Sequence, residues 1–420
     1  MSLNESMFAR LSEASRKLRE GDPGAATIAI QVALQGLSNL NGGVSLDTST
    51  TSGRGATVGL GGNFRSTALP ESRVESMPSF VSDLLERLGV GSTLEGPAVG
   101  SSLRDAASSL HDVDEKVRSA GQFLTKSFTN DAGTRSYKVY IPSSYHGQAM
   151  PLMVMLHGCT QDPDDFAAGT RMNVIAEEKQ CLVVYPAQAH SANSSKCWNW
   201  FRAVDQKRGQ GEPSIIAGIT REVIHNYKLN DQPVYVAGLS SGGAMAIIMG
   251  TTYPDLYAAV GVHSGLPYAA ARDLPSALAA MKGPGGANKR HNKQKSDPSS
   301  HLKSIPIIVF HGDRDTTVNP SNGDQLMEQT VSDMRNGSSD TARPIASEVL
   351  VESGRIPDGH AYTCTSHHDV AGHAVAEHWV IHGAGHAWAG GSRRGTYTDP
   401  KGPDATREMM RFFYTHPQTK

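Results

Sequence analysis

Hydrophobic positions from residue 121 onward fall into short apolar runs that alternate with helical patterns. Several runs are apolar without alternation, which is typical of strands covered on both faces. Alternation of strands with helices indicates an α/β protein whose sheet is mostly parallel and flanked by helices. The predicted strands are 137–141, 152–156, 182–185, 234–237, 259–262, 307–310 and 377–381, and the predicted helices include 172–178, 215–227 and 244–252.

The chain before this region has a different composition. Helical spacing of apolar residues predicts a small helical segment over 1–37, and residues 38–115 predict a flexible linker with weak helix, since few large apolar residues are present to form a core. The catalytic domain is predicted over 116–420. Within it, the polar and basic run 283–301 predicts a surface insertion, with a docking patch for an acidic partner as the alternative.

Charge and composition exclude some classes of function. The 420 residues carry a formal net charge of −2, which gives no reason to expect nucleic acid or an anionic membrane as partner. No run reaches the roughly 18 apolar residues of a membrane span, and the first residues contain no signal-peptide core. The sequence therefore predicts a cytoplasmic location. Four irregularly spaced cysteines favour free thiols, with one bridge as the alternative.

Gly238-Leu239-Ser240-Ser241-Gly242 matches the pattern G-x-S-x-G, and it follows an apolar strand and opens a helix. A sharp strand-to-helix turn strains the serine and needs glycine two positions before and after it, so that the neighbouring chain can approach. Ser240 meets this condition at both positions, whereas Ser241 has Leu239 before it. Ser240 is therefore the predicted nucleophile.

A serine hydroxyl needs a base to accept its proton, and the base needs an acid to orient it. In this type of site the chain order is serine, acid, histidine, and each lies just past a strand end. The loop after strand 307–310 offers Asp313 and Asp315, and the loop after 377–381 offers His382 and His386. Asp315 and His386 are favoured because they lie beyond the first tight turn.

The developing oxyanion needs two backbone N–H groups. One is expected from Ser241, directly after the nucleophile. The other is expected from the loop after strand 152–156, where the Cys159 amide is favoured and that of Thr160 is the alternative.

At these residues the chain resembles the polyhydroxybutyrate-depolymerase family of esterases, which includes feruloyl and acetylxylan esterases. The resemblance implies an α/β-hydrolase fold and hydrolysis of short hydroxyacyl or related esters, with Ser240, Asp315, His386 and Cys159 in the roles given above. The N-terminal helices and linker resemble those of intracellular members, and an extracellular location, as for secreted members of the family, is the alternative. The matching pieces are HGCTQ (157–161), CWNWF (197–201), GEPSIIAGITREVI (211–224), VYVAGLSSGGAMA (234–246), HGDRDTTVNP (311–320) and the segment 382–413.

Three tryptophans lie in these pieces: Trp198, Trp200 and Trp388. Aromatic rings can form the walls of a site for an acyl or polymer chain, and core packing is the alternative. Within the resemblance, Cys197 is also the candidate partner of Cys159 in a bridge that stiffens the oxyanion loop.

The sequence thus predicts a serine esterase that needs no metal or organic cofactor. Its expected substrate is poly(3-hydroxybutyrate) or short hydroxyacyl ester oligomers, with a polymer granule surface as a further binding partner. The alternatives are a feruloyl, acetylxylan or general short-chain esterase, a non-catalytic granule-binding protein, and a peptidase of the same fold.

Overall fold

A computed structural model describes residues 121–283, 305–336 and 345–417 of the chain. The predicted helical segment 1–37, the predicted linker 38–115 and nearly all of the predicted insertion 283–301 lie outside the described residues. The boundary predicted for the catalytic domain at residue 116 lies outside them too.

Ten strands form one sheet in the order β1-β2-β4-β3-β5-β6-β7-β10-β9-β8. Neighbouring strands from β4 to β10 in this order are parallel, whereas the pairs at both ends of the sheet are antiparallel. The strands are β1 (Gln122–Asn130), β2 (Gly133–Ile141), β3 (Leu152–Leu156), β4 (Leu182–Pro186), β5 (Val234–Leu239), β6 (Ala259–His263), β7 (Ile307–Gly312), β8 (Ile345–Arg355), β9 (Ala361–Asp369) and β10 (Ala374–His382). A separate pair joins β11 (Trp388–Ala389) to β12 (Thr398–Asp399).

The central strands explain why the sheet is the core of the molecule. Every residue of β3, β4, β5, β6 and β7 is buried. Their unbroken apolar runs match a sheet with helices on both faces, and the predicted mostly parallel sheet is confirmed. All seven predicted strands are present.

Helices cover the sheet on both faces. The helix that follows β5, α4 (Ser241–Thr252), is buried at almost every position, because its residues are small or apolar. The last helix is instead amphipathic, with Met409, Met410, Phe412 and Phe413 turned to the core. The helices are α1 (Pro163–Thr170), α2 (Met172–Lys179), α3 (Gly211–Asn226), α4 (Ser241–Thr252), α5 (Leu274–Met281), α6 (Ser321–Asn336) and α7 (Ala405–Tyr414).

The strands β1, β8 and β9 were not among the predictions. β1 is half-exposed, and β9 is mostly polar (AYTCTSHHD) and half-buried. Strands at the ends of a sheet can remain this polar because their outer positions face solvent, so they lack the long apolar runs of the centre.

Parallel strands place their carboxyl ends at one edge of the sheet. The loops that follow β3, β5, β7 and β10 therefore start at this edge, and they contain the predicted oxyanion, nucleophile, acid and base residues. Within the described ranges, no helix has both the length and the apolar character needed to cross a bilayer.

Candidate active site

Ser240 lies at the turn between β5 and α4, with a backbone φ of 57° and ψ of −118°. A non-glycine residue rarely adopts a positive φ, so the predicted strain at this serine is present. The turn is tight enough to require its glycines. A Cβ on Gly242 would lie 2.0 Å from the Leu156 carbonyl oxygen, and one on Gly238 would lie 2.4 Å from the carbonyl of Gly242.

His386 and Asp315 form a direct hydrogen bond, with 2.7 Å between Nδ1 and Oδ2. Asp315 is buried, and its Oδ1 also accepts the backbone N–H groups of Thr317 and Val318, each at 2.9 Å. Burial alone would raise the pKa of this carboxyl, but hydrogen bonds from His311, His386 and the Val318 amide hold the pKa well below its usual range. The carboxylate is therefore ionised where it meets the imidazole.

The alternative acid and base form a second pair of their own. His382 Nδ1 lies 3.1 Å from Asp313 Oδ2, and its Nε2 lies 2.9 Å from the Thr363 hydroxyl. Both ring nitrogens of His382 are thus occupied, and the side chains of this pair are 43% and 36% exposed. The corresponding figures for His386 and Asp315 are 11% and 0%, so the buried pair is the one with a sheltered imidazole.

His263 connects Ser240 to the loop of the buried pair. Its backbone carbonyl accepts the N–H of Ser240 at 2.9 Å, and its ring Nε2 accepts the N–H of Ala389, three residues after His386. Burial, together with the charges of His311 and His386, lowers the pKa of His263 to about 3. Among the described residues no hydrogen bond joins Ser240 Oγ to His386, a contact that is often longer in a free enzyme.

The oxyanion loop distinguishes the two candidate amides. The Thr160 N–H is already donated to the Ser195 carbonyl at 2.7 Å, which leaves Cys159 as the candidate donor from this loop. Ser241 is the first residue of α4, and an amide at that position has no acceptor within its own helix. The oxyanion loop also contacts the turn after β5, because the Ser241 hydroxyl lies 3.4 Å from Cys159 Sγ.

The favoured prediction of four free thiols is wrong for two of them. Cys159 and Cys197 form a disulfide, whereas Cys181 and Cys364 are free and buried. The sequence did not reveal the pair because the two cysteines are separated by 38 positions, and the chain between them returns through β4 to the same sheet edge. The bridge that the family resemblance suggested is therefore present at the oxyanion loop.

The three tryptophans predicted as substrate walls lie in the interior, which favours the packing alternative. Trp198, Trp200 and Trp388 are 0%, 6% and 1% exposed. The Trp198 indole N–H donates to the His157 carbonyl at 3.1 Å, and the Trp388 ring stacks on His263 at 5.3 Å between centroids. Trp198 and Trp388 thus pack behind the loops of the site, and none of the three buried rings forms an open wall.

A buried polar network behind the oxyanion loop was not predicted. The Glu212 carboxylate accepts the Asn199 N–H and side-chain amide, each at 2.7 Å, and the Gln188 side-chain amide. The Gln188 N–H in turn donates to His157 Nε2 at 3.0 Å. The motifs CWNWF and GEPSIIAG contain two of these residues, Asn199 and Glu212, but the sequence did not show that they meet. Within the residues that the structure describes, no group of three or more His, Cys, Asp or Glu could hold a metal ion.

Comparison with known proteins gives the family. Residues 135–348 match the family model described as Esterase PHB depolymerase, which is just over half of the chain. The chain belongs to this family. The resemblance to this family that the sequence motifs indicated is therefore confirmed.

Two curated relatives show the range of the family. The chain is 32% identical over 246 residues to poly(3-hydroxyalkanoate) depolymerase C of Paucimonas lemoignei, covering 56% of this chain and 58% of the relative. It is 27% identical over 232 residues to a probable acetylxylan esterase A of Aspergillus fumigatus, covering 52% and 60%. The chain thus spans less than two thirds of the length of either relative.

One solved structure supports the fold. The acetyl xylan esterase from Aspergillus awamori superposes with a TM-score of 0.50 and 19% identity, covering 70% of this chain and 98% of that chain. The α/β-hydrolase fold implied by the family resemblance is therefore confirmed.

Proposed function

We propose that this esterase acts through a catalytic triad of Ser240, His386 and Asp315, and that its substrates are poly(3-hydroxybutyrate) or short hydroxyacyl ester oligomers. The observation that supports the triad most is the 2.7 Å bond between His386 and the buried Asp315, on loops that start at the same sheet edge as the strained turn of Ser240. A positioned, sheltered base and a strained serine at one edge of the sheet are the groups that an activated hydroxyl nucleophile requires.

The proposed reaction has two halves. His386 Nε2 takes the proton of Ser240 Oγ as that oxygen forms a bond to the ester carbonyl carbon, and the amides of Cys159 and Ser241 stabilise the oxyanion. The carbon–oxygen bond to the alcohol then breaks, and the alcohol leaves with the proton from His386. Water attacks the acyl-enzyme with His386 as base, which releases the acid and restores the Ser240 hydroxyl.

The substrate proposal is supported by the relative from Paucimonas lemoignei, which is named a poly(3-hydroxyalkanoate) depolymerase and has the higher identity of the two relatives. A granule surface is then the physical form in which polymer meets the site. The second candidate is an acetylxylan or feruloyl ester, because acetylxylan esterases are also among the relatives. A cytoplasmic location stays a prediction.

Substitution at two neighbouring serines tests the nucleophile. Ser240→Ala is expected to lower kcat for p-nitrophenyl butyrate by at least about 10³-fold. Ser241→Ala, the matched control, keeps its backbone amide and is expected to stay within about tenfold of the unmodified chain. A fluorophosphonate probe should label Ser240 in the unmodified protein. Unchanged turnover in Ser240→Ala would refute the triad, and a chain that takes no label and turns over no ester would be a binding protein.

A hydrolysis panel tests the substrate. Amorphous polyhydroxybutyrate granules, hydroxybutyrate oligomers, methyl ferulate and acetylated xylan are compared at equal enzyme concentration, with Ser240→Ala as the blank. Release of hydroxybutyrate from the first two supports the proposal. Activity on the last two alone would leave the triad intact and replace the substrate with a plant-cell-wall ester.

A further inference from the structure

The proposed mechanism leaves two hydroxyl groups beside the site unused. The Tyr397 hydroxyl lies 3.2 Å from the Thr160 hydroxyl. Thr160 directly follows Cys159, the candidate oxyanion donor, and the Tyr397 ring stands edge-on to the His386 ring at 6.5 Å between centroids. The two hydroxyls therefore join the oxyanion loop to the loop that follows the base.

Both residues are held in conformations that their side chains disfavour. Thr160 has a φ of 67° and Tyr397 a φ of 52°, which is unusual for a β-branched and for a bulky residue. Strong backbone bonds hold them, since the Thr160 N–H reaches the Ser195 carbonyl and the Trp388 N–H reaches the Tyr397 carbonyl, each at 2.7 Å. The surrounding structure thus fixes where the two hydroxyls stand.

A single carboxylate ties the two loops together. Asp165 accepts the Thr396 N–H at 2.8 Å and the Gln161 side-chain amide at 2.9 Å. Gln161 and Thr396 are the chain neighbours of Thr160 and Tyr397, and the Gln161 amide also donates to the Thr396 carbonyl at 3.0 Å. Because both neighbours are anchored to one group, the separation of the two hydroxyls is set before any substrate arrives.

The hydroxyls of Thr160 and Tyr397 can both form hydrogen bonds to a bound molecule. The Thr160 hydroxyl donates to the Cys159 carbonyl at 2.6 Å, so Tyr397 is the donor in the 3.2 Å contact between the two hydroxyls. A bound oxygen can accept this Tyr397 proton in place of Thr160, and a bound hydroxyl can donate to a Thr160 lone pair. Tyr397 is 38% exposed, so a bound molecule can reach it. An acyl chain with an oxygen on its third carbon has an atom for this contact, and a plain alkanoyl chain has none.

We propose that Tyr397 and Thr160 form a polar subsite that binds an oxygen substituent close to the scissile ester and so selects 3-hydroxyacyl esters over plain alkanoyl esters. This proposal rests on the proposed function, because the two hydroxyls would recognise the hydroxyacyl substrate that the same triad hydrolyses. The oxygen is the free hydroxyl of a terminal unit or the ester oxygen of the next unit in an oligomer.

The test compares two small esters with one leaving group. The ratio of kcat/KM for p-nitrophenyl 3-hydroxybutyrate to that for p-nitrophenyl butyrate is measured in the unmodified chain and in Tyr397→Phe. We expect this ratio to fall about tenfold in the variant, the loss of one hydrogen bond near the upper end of its usual strength. Thr160→Ala should lower the ratio as well, and Thr160→Ser should restore it.

Tyr414→Phe is the matched control, since Tyr414 is also 38% exposed and its hydroxyl bonds to the Lys179 carbonyl on α2. It should leave the ratio unchanged. An equal loss on both esters in Tyr397→Phe would assign that residue a purely structural role, and a ratio near one in the unmodified chain would also overturn the subsite.

A binding measurement separates the subsite from the triad. The Kd values of methyl 3-hydroxybutyrate and methyl butyrate are measured on Ser240→Ala, with and without Tyr397→Phe. Tighter binding of the hydroxy ester that disappears with Tyr397→Phe supports the subsite even if oligomers are not hydrolysed. Equal binding of the two esters refutes the subsite even if the triad is correct.

Discussion

Gly242→Ala is the substitution for which the structure gives the clearest magnitude. The added Cβ would lie 2.0 Å from the Leu156 carbonyl oxygen and 2.6 Å from that of His157, where ordinary contacts are 3.4–4 Å. Both neighbours are backbone atoms at the end of β3, so no side-chain rotation relieves the overlap. Overpacking that the structure can relieve lowers the free energy of unfolding by about 1–3 kcal/mol. For a clash with fixed backbone we expect a loss at or above the top of that range.

A loss of about 3 kcal/mol corresponds to a Tm lower by roughly 6–12 °C, if each kcal/mol shifts the Tm by about 2–4 °C. Relaxation would also displace the start of the oxyanion loop, so kcat for p-nitrophenyl butyrate should fall together with stability. The assays are thermal unfolding by circular dichroism and initial rates well below the Tm.

Gly385→Ala is the control. A Cβ at Gly385, in the base loop, meets no atom within 4 Å. Its Tm is expected to stay the same or rise slightly, because alanine reduces the freedom of the unfolded chain. A Gly242→Ala protein with the Tm and kcat of the unmodified chain would show that β3 yields easily and that the tight turn is not what holds Ser240.

Three further predictions concern the acid, the disulfide and a buried carboxyl. Asp315→Asn should lower kcat for p-nitrophenyl butyrate by about 10³–10⁴-fold, as in other triads. The control Asp313→Asn should keep kcat within about tenfold of the unmodified chain. Equal losses in the two variants would contradict the pairing of His386 with Asp315. Reduction of the Cys159–Cys197 bond, which closes a separation of 38 residues, should lower the free energy of unfolding by about 3–4 kcal/mol and should lower kcat by loosening the oxyanion loop. Cys181→Ala is the control. A reduced enzyme that keeps its activity would refute the role of the bridge. Burial raises the pKa of Asp205 from 3.8 to about 6, so the folded state binds the proton more tightly and stability falls as pH rises through this range. Asp205→Asn should therefore raise the Tm at pH 8 and make no difference below pH 3.8, and a Tm gain that is independent of pH would contradict this origin.

The parallel centre of the sheet was predictable because its signal is local. The run Leu152–Leu156 is apolar at each of its five positions, and the structure starts and ends β3 at those residues. The strands β8 and β9 gave no such signal, since a strand at the sheet end is recognised by its pairing with another strand. That pairing depends on a register that no single segment specifies.

The choice between the two acids shows where sequence reasoning ends. Asp313 and Asp315 lie two residues apart in one loop, and either can be drawn beside a histidine. What separates them is burial: the Asp315 side chain is fully enclosed, while that of Asp313 is 36% exposed. Enclosure depends on packing from β10 and the loop that follows it, about 70 residues later in the chain, and the motif HGDRD does not contain this information.

The oxyanion loop is held by two contacts from the neighbouring residues Cys197 and Trp198 and by one contact within the loop. The disulfide ties Cys159 to Cys197, the Trp198 indole binds the His157 carbonyl, and the Gln161 side-chain oxygen accepts the Gly158 N–H at 2.9 Å. An amide that stabilises a transient oxyanion is effective only if it already points at the reacting centre, because reorientation during the reaction would consume the gain. These three restraints on so short a loop are what the proposed chemistry requires, and the bond to the His157 carbonyl gives the fully buried Trp198 a role in holding the loop.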